Sequence, residues 1–129
     1  MPAKNVKVEN ILKDDYLRLT LSLRDTKVLI KCCYAPNDDM SALDSESENN
    51  SDRFFKAVFD NRNDIGYDVT ILVGDFNVAP DPDKDTLGYL YVNNPNTRLF
   101  IERVKSFNML TDVFRHRHPE LRCFTFSKK

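Results

Sequence analysis

The residues best suited to chemistry are Asp75 and Asn77, which follow a short apolar run at residues 70–73. Residues i and i+2 of an extended chain point to the same side, so both side chains could leave one strand end together and face one ligand. A carboxylate can hold a hard cation or accept a proton from water, and a carboxamide can donate to a phosphate oxygen. The pattern also fits a strand that ends in an ordinary Asp/Asn turn, so both interpretations stay open on these residues alone.

Strands are predicted where runs of apolar and β-branched residues lie between turn residues, and in residues 16–23 Leu alternates with polar residues. They are expected at residues 5–12, 16–23, 27–34 and 68–74. Residues 24–26 are expected to turn the second strand back along the third as an antiparallel hairpin. Pro36 should end the third strand, because proline has no N–H to give to a sheet. A last strand is predicted at residues 123–126.

Two helices are predicted, each packing on a face of the sheet. The first begins at a cap formed by Ser51 or Asp52 and runs to about Arg62, with Gly66 as its stop. Its apolar side consists of Phe54, Phe55, Val58 and Phe59. The second helix runs over residues 97–107, with Thr97 as its cap.

The remaining segments are predicted to connect these elements. The acidic, Ser- and Asn-rich residues 38–51 are expected to form a surface loop. The proline-rich residues 78–96 form a second loop, and residues 109–114 form a short turn or helix. Strand pairs mixed with helices indicate an α/β or α+β fold, and the length of 129 residues indicates one domain or a piece of one.

Composition limits the class of protein. Hydrophobic residues make up 41% of the chain, with 9 Phe and 5 Tyr, which is enough for a core. No apolar run approaches the ~20 residues that span a bilayer, so no membrane partner is expected, and no secretory signal is found. Cys32 and Cys33 are adjacent, so in a strand they point to opposite faces and make poor disulfide partners. Reduced thiols in a cytosolic or nuclear compartment are the simplest interpretation.

The net charge of -1 does not suggest a nucleic-acid binder, but the charges are unevenly placed. Residues 38–64 hold eight Asp and Glu against three Lys and Arg, whereas residues 98–129 hold eight Lys and Arg against three Asp and Glu. The basic C-terminal quarter could contact a phosphate backbone. Charges alone favour the simpler explanation that the two regions complement each other or are solvated.

Four segments occur together, in order and at domain-like spacing. They are Tyr34-Ala35-Pro36-Asn37, Gly74-Asp75-Phe76-Asn77, Leu110-Thr111-Asp112-Val113-Phe114-Arg115-x-x-His118-Pro119 and Phe124-Thr125-Phe126. In this arrangement the chain resembles the endonuclease/exonuclease/phosphatase family, and most closely the apurinic-endonuclease-like domain of non-LTR (LINE-type) retrotransposons. The resemblance extends over nearly the whole chain.

The resemblance implies a four-layered α/β sandwich with two central sheets, of which this chain would supply a part that is incomplete at both ends. It implies hydrolysis of phosphodiester or phosphomonoester bonds with Mg²⁺ or Mn²⁺ as the cofactor. It also implies DNA as a partner, with a reverse transcriptase domain in the same parent polyprotein.

The same resemblance implies a role for each matching residue. Asp75 matches the carboxylate that orients or deprotonates the attacking water, and it could also bind the metal. Asn77 matches the partner that contacts the scissile phosphate, and Tyr34 matches a phenol that stabilises charge on that phosphate. Asn37 would shape its turn, and Thr125 would lie near the site at a strand end. Without the family, Tyr34 is equally well explained as a packed strand-end aromatic, and Thr125 is better explained as a β-branched strand residue.

Two histidines near the C-terminus invite a metal-ligand interpretation. His116 and His118 lie two residues apart, but the structural interpretation is preferred for both. His118 and Pro119 belong to the linker motif, in which the imidazole is expected to hydrogen-bond the backbone. Arg115 is expected to do the same.

The sequence departs from the family pattern at both ends. The family domain begins with an Asn-bearing strand and with a strand and helix that supply a metal-binding Glu, and it ends with Ser-x-x-Asp and Asp-His segments. Glu9 precedes Tyr34, but its setting does not resemble the metal-ligand motif, and only residues 127–129 follow Phe126. The chain is therefore expected to lack the metal-binding Glu and the catalytic His, and to be inactive alone.

Three functions remain open. The first is an endonuclease domain, or its remnant, that nicks DNA to prime reverse transcription. The second is another phosphoesterase of the family that acts on lipid, inositol phosphate or RNA. The third is a non-enzymatic scaffold or binding protein. The segments at residues 34–37 and 115–119 favour the first function, and the missing Glu and His favour the third.

Overall fold

A computed structural model describes residues 2–36, 45–85, 99–103 and 110–123 of the chain. Its strands are β1 (Lys4–Leu12), β2 (Tyr16–Leu23), β3 (Thr26–Tyr34) and β4 (Val69–Asp75). Its helices are α1 (Ser45–Val58), α2 (Pro82–Asp85) and α3 (Val113–Arg117), and residues 99–103 are also helical. The strands predicted in the first part of the chain are confirmed to within one residue at each end.

The described strands form one sheet in the order β1-β2-β3-β4. The first three are antiparallel neighbours, and Arg24 and Asp25 turn β2 into β3, which confirms the predicted hairpin. β4 lies parallel to β3 instead. A parallel pair needs a crossover connection, and the segment between these two strands contains α1. The result is a mixed sheet with helices, which confirms the predicted α/β class at this level.

The first helix differs from the prediction at both ends. It begins at Ser45 and ends at Val58, so neither Ser51 nor Asp52 is its cap and it stops before Arg62. Ser51 is instead fully buried inside the helix. The apolar stripe that it joins continues through Phe54, Phe55 and Val58. Packing of this stripe outweighs the weak helix propensity of an acidic, Ser- and Asn-rich segment, so the loop predicted at residues 38–51 is wrong from residue 45 onward.

The second predicted helix and the loop before it are described only in part. Residues 99–103 are helical as predicted, whereas the cap Thr97 and the end near Phe107 lie outside the described residues. The loop predicted at residues 78–96 contains the short helix α2, and its part beyond residue 85 lies outside the described residues.

Three further boundaries can be compared with the prediction. Gly66 does not stop a helix but lies in a later turn with φ +95°. The short turn or helix predicted at residues 109–114 corresponds to α3, which begins at Val113. Cys123 is not part of a strand, and the rest of the predicted last strand, residues 124–126, lies outside the described residues.

The core lies between α1 and one face of the sheet. Its buried side chains are Tyr16, Cys33, Ala35, Phe54, Phe55, Val58, Phe59 and Leu99. Phe100 extends this cluster, with its ring centroid 6.1 Å from Phe55, 5.9 Å from Phe59 and 5.1 Å from Phe76. The predicted apolar side of the first helix is therefore confirmed, and the second helical segment packs against the same core.

Alternate residues on all four strands point away from the core and form a second surface, which we call the open face. It consists of Val8, Leu17, Leu19, Leu21, Val28, Ile30, Val69, Ile71 and Val73. One row crosses the whole sheet from Val8 through Leu19 and Ile30 to Ile71. Val8 is 62% exposed, Ile71 45% and Val73 47%, so much of this apolar surface faces solvent.

Candidate functional site at the ends of strands β3 and β4

The structure brings Tyr34 and Asp75 together. They are the last residues of β3 and β4, and they are direct partners in the register of this parallel pair. Neighbouring parallel strands end at the same edge of a sheet, where polar side chains can meet a ligand. Tyr34 is 57% exposed and the Asp75 side chain is also exposed, so the two polar groups are accessible from solvent.

The parallel pairing continues one residue beyond the strand ends. The N–H of Ala35 donates to the carbonyl of Asp75 over 2.7 Å. Ala35 is fully buried, so this hydrogen bond lies at the edge of the core rather than in a free loop. The bond fixes the backbone of Asp75 beside β3, and the carboxylate is therefore carried on a rigid element.

Asn77 is held by both its backbone and its side chain. Its N–H donates to Oδ1 of Asp75 over 3.0 Å, and its Nδ2 donates to the carbonyl of Ala35 over 2.8 Å. Its φ of +48° is left-handed, a conformation that Asn tolerates better than most residues. The chain is thus not extended through Asn77, and the expectation that its side chain leaves in parallel with that of Asp75 is wrong.

Two of the predicted supporting residues cannot be placed. Asn37 and Thr125 lie outside the described residues. Within the described part of the chain, no group of three or more His, Cys, Asp or Glu residues could hold a metal ion. Asp75 does offer a single exposed carboxylate beside a phenol. One carboxylate suits Mg²⁺, which keeps several of its waters and prefers oxygen ligands.

A buried ionic cluster near the middle of β3 is not among the features predicted from the sequence. The ammonium group of Lys31 on β3 forms an ion pair with Asp64, and Arg18 on β2 lies 3.4 Å from the same carboxylate. Lys31 also donates to the last carbonyl of α1, that of Val58, over 2.9 Å. A cation at a helix C-terminus is favourable, so this contact ties α1 to the sheet. The sequence does hold a signal for the burial of Lys31, because this residue alternates with Leu29 and Cys33 on the buried side of β3.

The cysteines behave as the alternation of a strand predicts. Cys32 is exposed and Cys33 is buried, and all three cysteines, including Cys123, are free thiols. The Cys33 thiol donates to the carbonyl of Val73 over 3.6 Å. Burial raises the pKa of Cys33 to about 12, and burial likewise raises the pKa of its cross-strand partner Tyr16 to about 12. Both groups therefore stay neutral in the folded protein at physiological pH.

The motif near the C-terminus folds around Arg115. Asp112 caps α3 by accepting the N–H of Arg115 over 2.9 Å. The Arg115 guanidinium forms an ion pair with Asp85 of α2 and donates to the carbonyls of His118 and Leu121. The expectation that Arg115 hydrogen-bonds the backbone is confirmed. These contacts anchor the motif to the segment that follows Asn77.

The two histidines of the motif have structural surroundings. The imidazole of His118 lies 5.2 Å from the ring of Phe114. Within the described residues, His118 hydrogen-bonds Phe114 through its backbone N–H and not, as expected, through its imidazole. His116 is exposed at the end of α3. The preference for a structural rather than a metal-binding role is consistent with these contacts.

No protein-family model matches the chain, and no curated protein matches it. Among the helices that the structure describes, none is long and apolar enough to cross a membrane.

Proposed function

We propose that this chain carries the water- and phosphate-facing part of a divalent-metal-dependent phosphodiesterase site, of the kind that nicks DNA in retrotransposon members of the endonuclease/exonuclease/phosphatase family. The observation that carries the proposal is the pairing of Tyr34 with Asp75 at the ends of two parallel strands. Two residues that the family pattern assigns to one site, and that lie far apart in sequence, are neighbours in the fold.

The proposed chemistry uses the polar groups at this edge. Asp75 orients the attacking water or accepts its proton through the carboxylate oxygen that Asn77 does not bind. The Tyr34 hydroxyl donates to an oxygen of the phosphate, where negative charge develops. Mg²⁺ or Mn²⁺, when bound with Asp75 as a ligand, would supply further stabilisation of that charge.

The open face supports the finer part of the proposed fold. A sheet that buries one side under α1 and exposes apolar side chains on the other is one layer short of a sandwich. We therefore place a second sheet against the open face, which gives the two-sheet arrangement of the family. Val8 and Ile71, the exposed ends of the row, would then lie in the interior instead of facing solvent.

DNA is the proposed substrate, and α3 offers a surface for its backbone. The last turn of α3 carries Arg115, His116 and Arg117. Arg115 is committed to Asp85, whereas His116 and Arg117 are exposed. Because α2 and α3 are joined by that ion pair, this surface is fixed to the segment that begins at the site. Lipid, inositol phosphate and RNA remain the alternative substrates within the family.

A nicking assay on supercoiled DNA tests the proposal. The chain alone has no match for the family's metal-binding Glu or catalytic His, so we expect no Mg²⁺-dependent nicking from it. A version extended by family segments that carry those two groups should nick DNA, and Asp75→Ala should slow it about a hundredfold or more. The matched control Asp25→Ala, at the opposite end of the sheet, should leave the rate unchanged. A folded extended protein that nicks equally well with Asp75→Ala would overturn the proposal.

A further inference from the structure

We infer that Asn77 is a positioning residue whose side-chain amide holds the Asp75 carboxylate in place by bonding across to the carbonyl of Ala35. The inference rests on the proposed function for its catalytic meaning, but the contact itself belongs to the free protein. It gives Asn77 a role that acts through Asp75, in place of a direct contact with the phosphate.

The first observation is that the backbone of Ala35 makes two hydrogen bonds to the chain at the end of β4. The N–H of Ala35 donates to the carbonyl of Asp75, and its own carbonyl accepts from Nδ2 of Asn77. Both bonds join the first residue after β3 to the chain at the end of β4, one to its last residue and one to Asn77 beyond it. Ala35 is fully buried, so neither partner of these bonds is easily replaced by water.

The second observation is that these hydrogen bonds accompany a fixed position of one oxygen of the Asp75 carboxylate. With Nδ2 bound to Ala35, the backbone N–H of Asn77 points at Oδ1 of Asp75 and donates to it over 3.0 Å. One carboxylate oxygen is therefore held by the protein. Among the described residues no hydrogen bond to the other oxygen is found, and the Asp75 side chain is exposed, so this oxygen is accessible to a ligand. Orienting a reacting group in advance lowers the cost of reaching the transition state.

The third observation is the choice of residue type. The position needs a left-handed φ of +48° and a side-chain donor that reaches the neighbouring strand. Glycine satisfies the first need and not the second. Aspartate is close in size and tolerates the turn, but an ionised carboxylate has no hydrogen to donate. Asparagine meets both needs.

Nuclear magnetic resonance on the free chain, without DNA or metal, tests the contact. In the wild-type protein we expect scalar coupling across the hydrogen bond from Asn77 Nδ2 to the Ala35 carbonyl carbon. In Asn77→Gly, which tolerates the left-handed φ but lacks the side-chain donor to Ala35, the Ala35 amide should exchange with solvent about five- to tenfold faster. The Ile30 amide in the centre of β3 should be unchanged, and so should both amides in the control Asn61→Gly, an exposed asparagine.

Absence of the coupling in the wild-type protein would overturn the inference even if the glycine variant does not fold. An unchanged exchange rate of Ala35 in a folded Asn77→Gly protein would also overturn it. In any version that nicks DNA, the glycine variant should lower kcat and change KM by less than about twofold, because it removes orientation rather than substrate contact. A raised KM with an unchanged kcat would point to a phosphate contact instead. The scalar coupling and the amide exchange rate are measured without substrate, so their outcomes do not depend on the proposed function.

Discussion

Gly74 lies directly opposite Cys33 in the parallel pair of β3 and β4, and the two backbones approach too closely for any other residue at this position. A Cβ added to Gly74 would lie 1.8 Å from the carbonyl oxygen of Cys33. The φ of Gly74 is +151°, which L side chains also rarely adopt. The glycine before Asp75 therefore allows β4 to end beside Tyr34.

Gly74→Ala should destabilise the fold and separate the two strand ends. The clash with backbone leaves no flexible neighbour to move, so we expect a loss of at least about 3 kcal/mol in the free energy of unfolding. Gly66→Ala is the matched control, because its φ of +95° is also positive but its added Cβ would meet nothing within 4 Å. Urea unfolding should show a loss of about 1–2 kcal/mol for the control. Equal losses in the two variants would contradict the account of Gly74.

Removing one member of the ionic cluster of Lys31, Asp64 and Arg18 should lower the free energy of unfolding. Asp64→Ala would leave two buried cations without their anion, and we expect a loss of about 3–5 kcal/mol. The double variant Lys31→Met with Asp64→Leu should recover part of that loss, because it removes charge and partner together. Unfolding measurements on the two single variants and on the double variant give the coupling free energy between Lys31 and Asp64.

The exposed pair of Asp60 and Arg62 is the control for the buried cluster. The Arg62 side chain is 85% exposed, so Arg62→Ala should cost less than about 1 kcal/mol. A cost for Asp64→Ala as small as that of Arg62→Ala would show that the buried cluster does not tie α1 to the sheet.

Stability should fall at alkaline pH because of Tyr16 and Cys33. Burial raises the pKa of both to about 12, from ordinary values of 10.0 and 9.0. The folded state therefore keeps protons that the unfolded state has lost, and stability decreases from about pH 9 towards pH 12. Tyr16→Phe should remove a share of this decrease, on the order of 2 kcal/mol. Unfolding measured at pH 8 and at pH 11 checks this, and a decrease in Tyr16→Phe as large as that of the wild-type protein would contradict it.

Arg117 should contribute to DNA binding without reading sequence. If it contacts a phosphate, Arg117→Ala should weaken binding equally for unrelated sequences and reduce the salt dependence by about one counterion. Arg53→Ala is the matched control, since Arg53 is exposed on α1 within the acidic part of the chain. Fluorescence anisotropy over a salt series makes the comparison, and identical salt slopes for the two variants would remove α3 from the proposed DNA surface.

The sequence predicts the strands well because their signal is local. The alternation along β2, the apolar residues of β3 and the short turn between them are local features, and they predict both strands to within one residue of the structure. The predicted start of α1 is too late in the chain because the polar first half of this helix has no local helix signal. Its place is set by packing of Ser51 and the following phenylalanines on the sheet, which is a tertiary effect.

The candidate site shows the same division between local and tertiary information. That Tyr34 and Asp75 end strands could be predicted from local pattern, but their direct register could not, because it depends on the parallel pairing of strands that are far apart in sequence. The hydrogen bond from Asn77 to Ala35 and the burial of Lys31 depend on the same pairing. Local sequence pattern therefore indicates the polar residues of the site, but not the contacts that hold them in place.

Mn²⁺-induced broadening of backbone amide signals tests whether Asp75 belongs to a cation site at the ends of β3 and β4. We expect broadening centred on residues 34–35 and 74–77, with residues 23–26 at the opposite end of the sheet unaffected. This broadening should disappear in Asp75→Asn and persist in Asp25→Asn. Broadening centred elsewhere, or broadening that survives in Asp75→Asn, would contradict the claim that Asp75 is part of a cation- and phosphate-binding site at this edge.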